Sequence, residues 1–146
     1  MAILTDAGKR LFLDSSYAIA ISVESDKHHL KAVALSEELE RQQLKVITTR
    51  AVMLEIGSPL AKSNFRNTAV ELLSGLEHDP AVEIIPLSES LYSQAFSLFR
   101  QRPDKTWSLV DCSSFVVMEE RGMQKALTAD THFIQAGFQA LLLQFE

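Results

Sequence analysis

The chain has one cysteine, Cys112, in 146 residues, so no disulfide can form within it. That usage fits a reducing cytoplasm. No apolar run approaches the roughly 18 residues that cross a bilayer as a helix, which excludes a membrane-spanning reading. The first residues, Met1 to Gly8, are mixed and interrupted by Asp6, unlike a secretory leader. Low-complexity tracts and internal repeats of roughly 20–50 residues are absent. Positive charge is not in excess: 14 Lys and Arg stand against 19 Asp and Glu, a net charge of −5. The broad basic footprint of a protein that holds nucleic acid by charge alone is therefore missing. An enzyme whose metal ions meet the phosphates remains open. So does a globular core: 47% of the residues are hydrophobic and 23% charged, which argues against disorder.

What is present alternates. Short apolar runs at Arg10–Asp14, Leu44–Thr48, Val82–Pro86 and Lys125–Ala129 read as buried strands, and Ala140–Phe145 reads as a final edge strand. Between them lie segments with helical spacing. Tyr17–Val23 is one, with Ser15 and Ser16 as cap candidates before it. A run carrying Leu30, Val33, Leu35 and Leu39 follows Asp26 as its N-cap. Thr49 caps a helix that breaks at Gly57 to Pro59, and Asn64–Leu76 is the next. Ser88 caps a helix through Leu91, Ala95, Phe96 and Phe99, and Ser108 caps Leu109–Glu120. Phe133–Phe138 starts a short helix or turn. Strands alternating with helices imply βαβ units, right-handed crossovers and a mostly parallel sheet covered on both faces. The expectation is a single α/β/α three-layer domain over residues 1–146, because no shift in composition marks a boundary.

Two of the strands end in aspartate, Asp14 and Asp130. The carboxyl end of a strand is where open α/β sheets build ligand sites. Glu55 lies on an otherwise apolar helical stretch, and Asp111 opens a helix just before Phe115, Val116 and Met118. A charge in apolar surroundings needs a partner, and crowded acids usually need a cation. Each acid also has an ordinary explanation. Asp14 and Asp130 are placed to cap helices, Glu55 to lie on a polar helix edge, and Asp111 to favour a helix dipole.

Four segments, in order, resemble the PIN-domain ribonucleases, in particular VapC-like toxins and their stand-alone relatives. They are Phe12-Leu13-Asp14-Ser15-Ser16, then Glu55 after Thr48-Thr49-Arg50-Ala51-Val52. Trp107-Ser108-Leu109-Val110-Asp111-Cys112-Ser113-Ser114-Phe115 and Leu127-Thr128-Ala129-Asp130-Thr131-His132-Phe133 complete the set. The resemblance implies a PIN-like fold and an acidic core of Asp14, Glu55, Asp111 and Asp130. It implies Mg²⁺ or Mn²⁺ held by these acids for hydrolysis of RNA phosphodiesters, with Ser108 and Thr128 orienting carboxylates. A small antitoxin partner and a homodimer are implied by the resemblance alone. The acidic set has no gap, but the chain is less basic than many toxin members.

Hard oxygen ligands suit Mg²⁺ or Mn²⁺, and no soft Cys/His set exists for zinc. Asp14 and Asp111 are expected as direct ligands, with Glu55 and Asp130 as a second pair, direct or through water. Any of the four is open as general base. His132 either touches the phosphate, orients a carboxylate or packs beside Phe133. Cys112 reads as packing, because a carboxylate next door opposes a thiolate. Trp107 reads as an anchor for its loop, or as a base-stacking surface. Arg50, Arg100, Arg102 and Lys105 are candidate phosphate contacts, while Phe96, Leu98 and Phe99 read as core. Two rivals stand beside the nuclease. An aspartyl-phosphate enzyme of the haloacid-dehalogenase kind wants a second Asp at the place of Ser16, and a receiver domain clusters its acids before the acceptor. A catalytically silent PIN-like module that grips a protein partner would have no reason to retain four crowded acids.

Overall fold

Five short strands pair side by side, all parallel, in the computed structural model, which describes residues 10–144. They are β1 (Arg10–Leu13), β2 (Lys45–Thr49), β3 (Val82–Ile85), β4 (Lys125–Leu127) and β5 (Gln139–Ala140), in the spatial order β3-β2-β1-β4-β5. Parallel strands need crossover segments, and helices supply them here. The helices are α1 (Ser15–Ser22), α2 (His29–Arg41), α3 (Arg50–Gly57), α4 (Ser63–His78), α5 (Glu89–Gln101), α6 (Leu109–Glu120) and α7 (Thr131–Gln135). The result is an α/β/α sheet with helices on both faces. The central strands are accordingly apolar without alternation: Leu11, Phe12, Leu13, Val46, Ile47, Ala126 and Leu127 are all buried.

The chain winds outward from β1 to β2 and β3, then returns to the other side of β1 for β4 and β5. The strand order therefore reverses between β1 and β4. Such a switch point leaves a crevice at the carboxyl ends of the strands. The register there is Phe12 with Ala126 and Leu13 with Leu127. One step further along, the Asp14 amide donates to the Leu127 carbonyl at 3.1 Å, which sets Asp14 beside Thr128. On the other side of β1, the Thr48 hydroxyl donates to the Leu13 carbonyl at 2.8 Å. Contacts of α3 with α1 and with α6, and of α6 with α7, gather four helices around this crevice.

The structure corrects several sequence expectations. Asp14, rather than Ser15 or Ser16, caps α1, and both serines lie in its first turn. Asp26 closes a turn onto the His28 amide at 2.8 Å, and α2 starts only at His29. The last helix begins at Thr131, two residues before Phe133, because Asp130 caps it. The expected strand from Ala140 shortens to Gln139–Ala140. Leu141–Leu143 then turn as a 3-10 helix whose first two leucines are buried, and Phe145 lies outside the described residues. Phe96 and Phe99 are not core: they are 41% and 43% exposed, while their neighbour Leu98 packs partly against the core. Among the described residues no helix is long and apolar enough to cross a membrane.

Beneath the crevice, Phe133 is fully buried between Phe12 (ring centroids 6.2 Å apart) and Phe115 (5.0 Å, edge-on), and Phe115 also meets Trp107 edge-on at 5.0 Å. This aromatic stack joins β1, α6 and α7. Phe133→Ala is expected to remove about 3–5 kcal/mol of unfolding free energy through lost burial and a residual cavity. Urea denaturation of the two proteins measures it, and a loss below about 1 kcal/mol would mean that the neighbouring rings collapse into the gap.

Candidate metal centre

Asp14 is 3% exposed and sits one residue past β1 with extended backbone. Its Oδ2 accepts hydrogen bonds from the Thr128 hydroxyl at 2.7 Å, the Ser16 hydroxyl at 2.9 Å and, more weakly, the Ser16 amide at 3.4 Å. The Ser16 and Thr128 hydroxyls lie 3.1 Å apart and in turn accept from the amides of Ala129 and Asp130. The acid at the end of β1 is thus fixed by hydroxyls from α1 and from the end of β4. Burial holds its carboxyl above the ordinary range. The bonds from Thr128 and Ser16 oppose that rise, and the nearby charge of Asp130 adds to it.

Glu55 projects from α3, the helix capped by the Thr49 hydroxyl, which accepts from the Val52 amide at 3.0 Å. The Ser15 hydroxyl donates to its Oε1 at 2.7 Å, tying α3 to α1. Partial burial raises the Glu55 carboxyl, the Ser15 bond lowers it, and the charges of Asp14, Asp111 and Asp130 raise it further. The charges of the other three acids named from the sequence therefore all reach Glu55.

Asp111 is buried in the first turn of α6 within a reciprocal cap. Its amide donates to Ser108 Oγ at 3.0 Å, and its Oδ2 accepts from the Ser108 amide at 3.1 Å. Ser108 thus holds the Asp111 carboxylate through its own main-chain amide, while its hydroxyl holds the Asp111 main chain. Asp130 caps α7 by accepting from the His132 amide at 2.8 Å. The His132 ring then lies between two acids, its Nδ1 3.0 Å from Asp111 Oδ2 and 3.4 Å from Asp130 Oδ1. Its Nε2 is 3.1 Å from the Thr106 hydroxyl. Donor atoms of Asp111, Asp130 and His132 all lie within 4.8 Å of one another, close enough to share one cation.

The ordinary roles are thus real and coexist with the cluster: Asp14 and Asp130 cap helices, and Asp111 closes the capping box in the first turn of α6. Capping uses one face of a carboxylate and leaves lone pairs on the other. The donor set suits a hard divalent ion, because it offers carboxylate oxygens, one imidazole and no thiolate. Cys112, next to Asp111, is fully buried, and burial pushes its thiol up to about 11, so it packs rather than reacts. Two acids held above their ordinary range by burial and by neighbouring acids are what an added positive charge would relieve.

Two residues gain a role in the site that the sequence does not assign them, and a third has its open role narrowed. Ser15 and Ser16 read by position as cap candidates, yet each holds a carboxylate. For His132 the sequence leaves phosphate contact, carboxylate orientation and packing open, and the geometry places its ring against two acids. The available signal is the spacing Asp130-x-His132. An aspartate cap accepts from the amide two residues on, which brings that residue's side chain back beside the carboxylate. Of the cationic candidates, Arg50 is paired with Glu77 on α4, and Arg102 is paired with Asp104 at 2.9 and 3.0 Å.

A model of the PIN domain matches residues 11–139. The chain belongs to the PIN-domain family. Within it the likeness is to VapC proteins. The 23S rRNA-specific endonuclease VapC20 of Mycobacterium tuberculosis is 24% identical over 128 residues, covering 88% of this chain and 95% of that protein. The crystal structure of the same VapC20, a Sarcin-Ricin loop cleaving toxin, superposes with a TM-score of 0.77 at 26% identity, over 88% of this chain and 95% of that one. FitAcB from Neisseria gonorrhoeae shares the fold at a TM-score of 0.59 and 19% identity, over 89% and 94% of the two chains. The PIN match runs from β1 into β5, so it includes Asp14, Glu55, Asp111 and Asp130.

The raised carboxyls make a prediction for the metal-free PIN domain. Folded values above the ordinary 3.8 of Asp14 and 4.5 of Glu55 mean that the folded protein binds more protons than the unfolded chain across that interval. The favourable contribution of these two groups is therefore largest below the ordinary range and is lost as pH rises through the raised values. In chelator, the double variant Asp14→Asn, Glu55→Gln is expected to gain stability relative to the parent between about pH 4 and 7. Paired urea titrations across that range measure the difference, and a flat difference curve would show that the acids are not strained.

Proposed function

We propose that this PIN-domain chain is a Mg²⁺- or Mn²⁺-dependent endoribonuclease that hydrolyses RNA phosphodiesters, acting as the toxin of a VapBC-type pair. The observation that supports the reading is an acidic group beside the carboxyl ends of β1 and β4: Asp111, Asp130 and His132 offer donor atoms within 4.8 Å of one another, and the charges of Asp14, Asp111 and Asp130 reach Glu55. VapC20, an endonuclease acting on 23S rRNA, supports the substrate class. Treating residues 1–146 as one PIN-like unit belongs to the same reading, as do a homodimer, a small antitoxin partner and a cytoplasmic setting.

In this reading Asp14 and Asp111 are the direct ligands, and Asp130 and Glu55 form a second pair, direct or through water. A divalent cation held there supplies Lewis acidity, making water a better nucleophile and offsetting charge on the phosphate oxygens. The chain's own residues do the rest. Thr128 and Ser16 fix Asp14, Ser108 fixes Asp111, and Ser15 fixes Glu55, so the carboxylates are oriented before substrate arrives. His132 holds Asp111 and Asp130 together and is a positioning residue. One of the four carboxylates accepts the proton of the attacking water. The water oxygen bonds to phosphorus, the ester P–O bond breaks, and a proton ends on the leaving oxygen.

Asp14→Asn is expected to fold normally, because an amide oxygen still caps α1, and to lose at least a hundredfold in RNA cleavage, in line with removal of one preorganised charge from a site. Chelation should abolish cleavage by the parent, and Mn²⁺ or Mg²⁺ should restore it. Gel assays on RNA with matched metal and chelator arms measure both effects. Cleavage that survives chelation would end the reading. Calorimetric titration with Mn²⁺ separates the rival: absence of binding would leave a scaffold that grips a protein partner.

A further inference from the structure

Outside the acidic cluster, the C-terminal turns of α5 and the loop that follows carry side chains that no part of the mechanism uses. A groove of about 430 Å³ runs there, lined by Phe96, Phe99, Arg100, Arg102, Lys105 and Trp107. Phe96 and Phe99 are 41% and 43% exposed, and Tyr92, 50% exposed, stacks on Phe96 with rings 11° from parallel. The Arg100 guanidinium lies 5.5 Å over the Phe96 ring, and that of Arg102 lies 5.1 Å over Trp107. No Asp or Glu lines the groove. Asp104, the nearest acid in sequence, is held by Arg102. Among the described residues no carboxylate is within ion-pair distance of Arg100 or Lys105, and Lys105 feels Asp104 only through its charge.

We infer that this groove is a second RNA subsite, in which single-stranded bases stack on Phe96 and Phe99 while Arg100 and Lys105 meet the adjoining phosphates. This rests on the ribonuclease reading and adds to it where the chain grips substrate beyond the scissile bond. Exposed rings beside cations form the pairing that single strands take, because every base has a face to stack and every linkage a charge to meet. Charge selects the occupant. In a protein of net charge −5, a groove with three cationic and no acidic linings fits a polyanion. A second copy of the chain fits this groove poorly, since a two-fold contact through it would bring two sets of cations into one interface. Thr106, flanked by the groove residues Lys105 and Trp107, contacts His132 at 3.1 Å, so one loop borders both the groove and the acids. A strand lying in the groove therefore leads toward the metal centre.

The test measures binding apart from cleavage. Fluorescence anisotropy of the full chain with a labelled single-stranded oligoribonucleotide, in chelator so that no cleavage occurs, gives the affinity. Arg100→Glu with Lys105→Glu, and separately Phe96→Ala with Phe99→Ala, are each expected to weaken binding about tenfold or more. The charge pair should also flatten the salt dependence, by roughly 0.7 in log–log slope for each phosphate the protein no longer neutralises. Phe96, Phe99 and Arg100 are exposed and Lys105 is half-buried, and thermal melts check that the variants fold. Cleavage with metal should show KM raised and kcat little changed for a long RNA, with no change for a fragment too short to reach the groove. Affinities unchanged in both variants, or no binding by the parent, would overturn the inference. So would sedimentation showing a parent dimer that the variants dissociate while RNA affinity holds. Intact binding by a parent that never cleaves would remove the ribonuclease reading and keep the groove.

Discussion

Asp14 follows β1, Thr128 follows β4, and the 2.7 Å hydrogen bond between their side chains joins the two wings of the sheet where the winding reverses. The register of β1 on β4 leaves these residues side by side. The same hydroxyl accepts the Asp130 amide, so the position of one acid is transmitted to another 116 residues away in sequence. A one-residue slip would turn Asp14 to the opposite face and take Thr128 out of reach. The continuous apolar runs of β1 and β4 are packed on both sides, and it is this burial that holds the register.

Crowding follows from that placement. Asp14 is lifted above the usual carboxylate range chiefly by burial, and Glu55 by burial and by three neighbouring acids. A fold selected for stability alone would replace such groups with apolar or amide side chains. The hydroxyls of Ser15, Ser16 and Thr128 offset part of the cost. Stability is given up locally where these acids are held, which is the pattern of a functional site rather than of a core.

Much of this is legible in the sequence, and for physical reasons. The β1, β2, β3 and β4 segments are short apolar runs between helical spacings, and the caps at Thr49, Ser88 and Ser108 lie where hydroxyls precede apolar periodicity. Sequence reading fails where local pattern and tertiary context disagree. Leu141 and Leu142 are apolar enough for a strand, but they are buried by turning inward as a 3-10 helix. Phe96 and Phe99 look like core by type, yet they face outward because Leu91, Ala95 and Leu98 already supply the inward stripe of α5. The acids can be named singly, but their convergence cannot be read from one sequence, because it depends on α3 touching both α1 and α6. His132 is harder still, since its placement follows from the cap that Asp130 makes.

The margins of the sheet behave differently from its centre. At one side β5 contributes only Gln139 and Ala140 before the backbone curls away. At the other, β3 carries Glu83, held by Arg121 at 3.1 Å, and is followed at once by Pro86. Each border thus presents too brief a ladder of free amides and carbonyls, or one guarded by charge and by an imino acid, for a foreign strand to extend it. A parallel sheet with so apolar a middle would otherwise invite edge-to-edge extension into fibres, and these short or guarded borders oppose that mode of association.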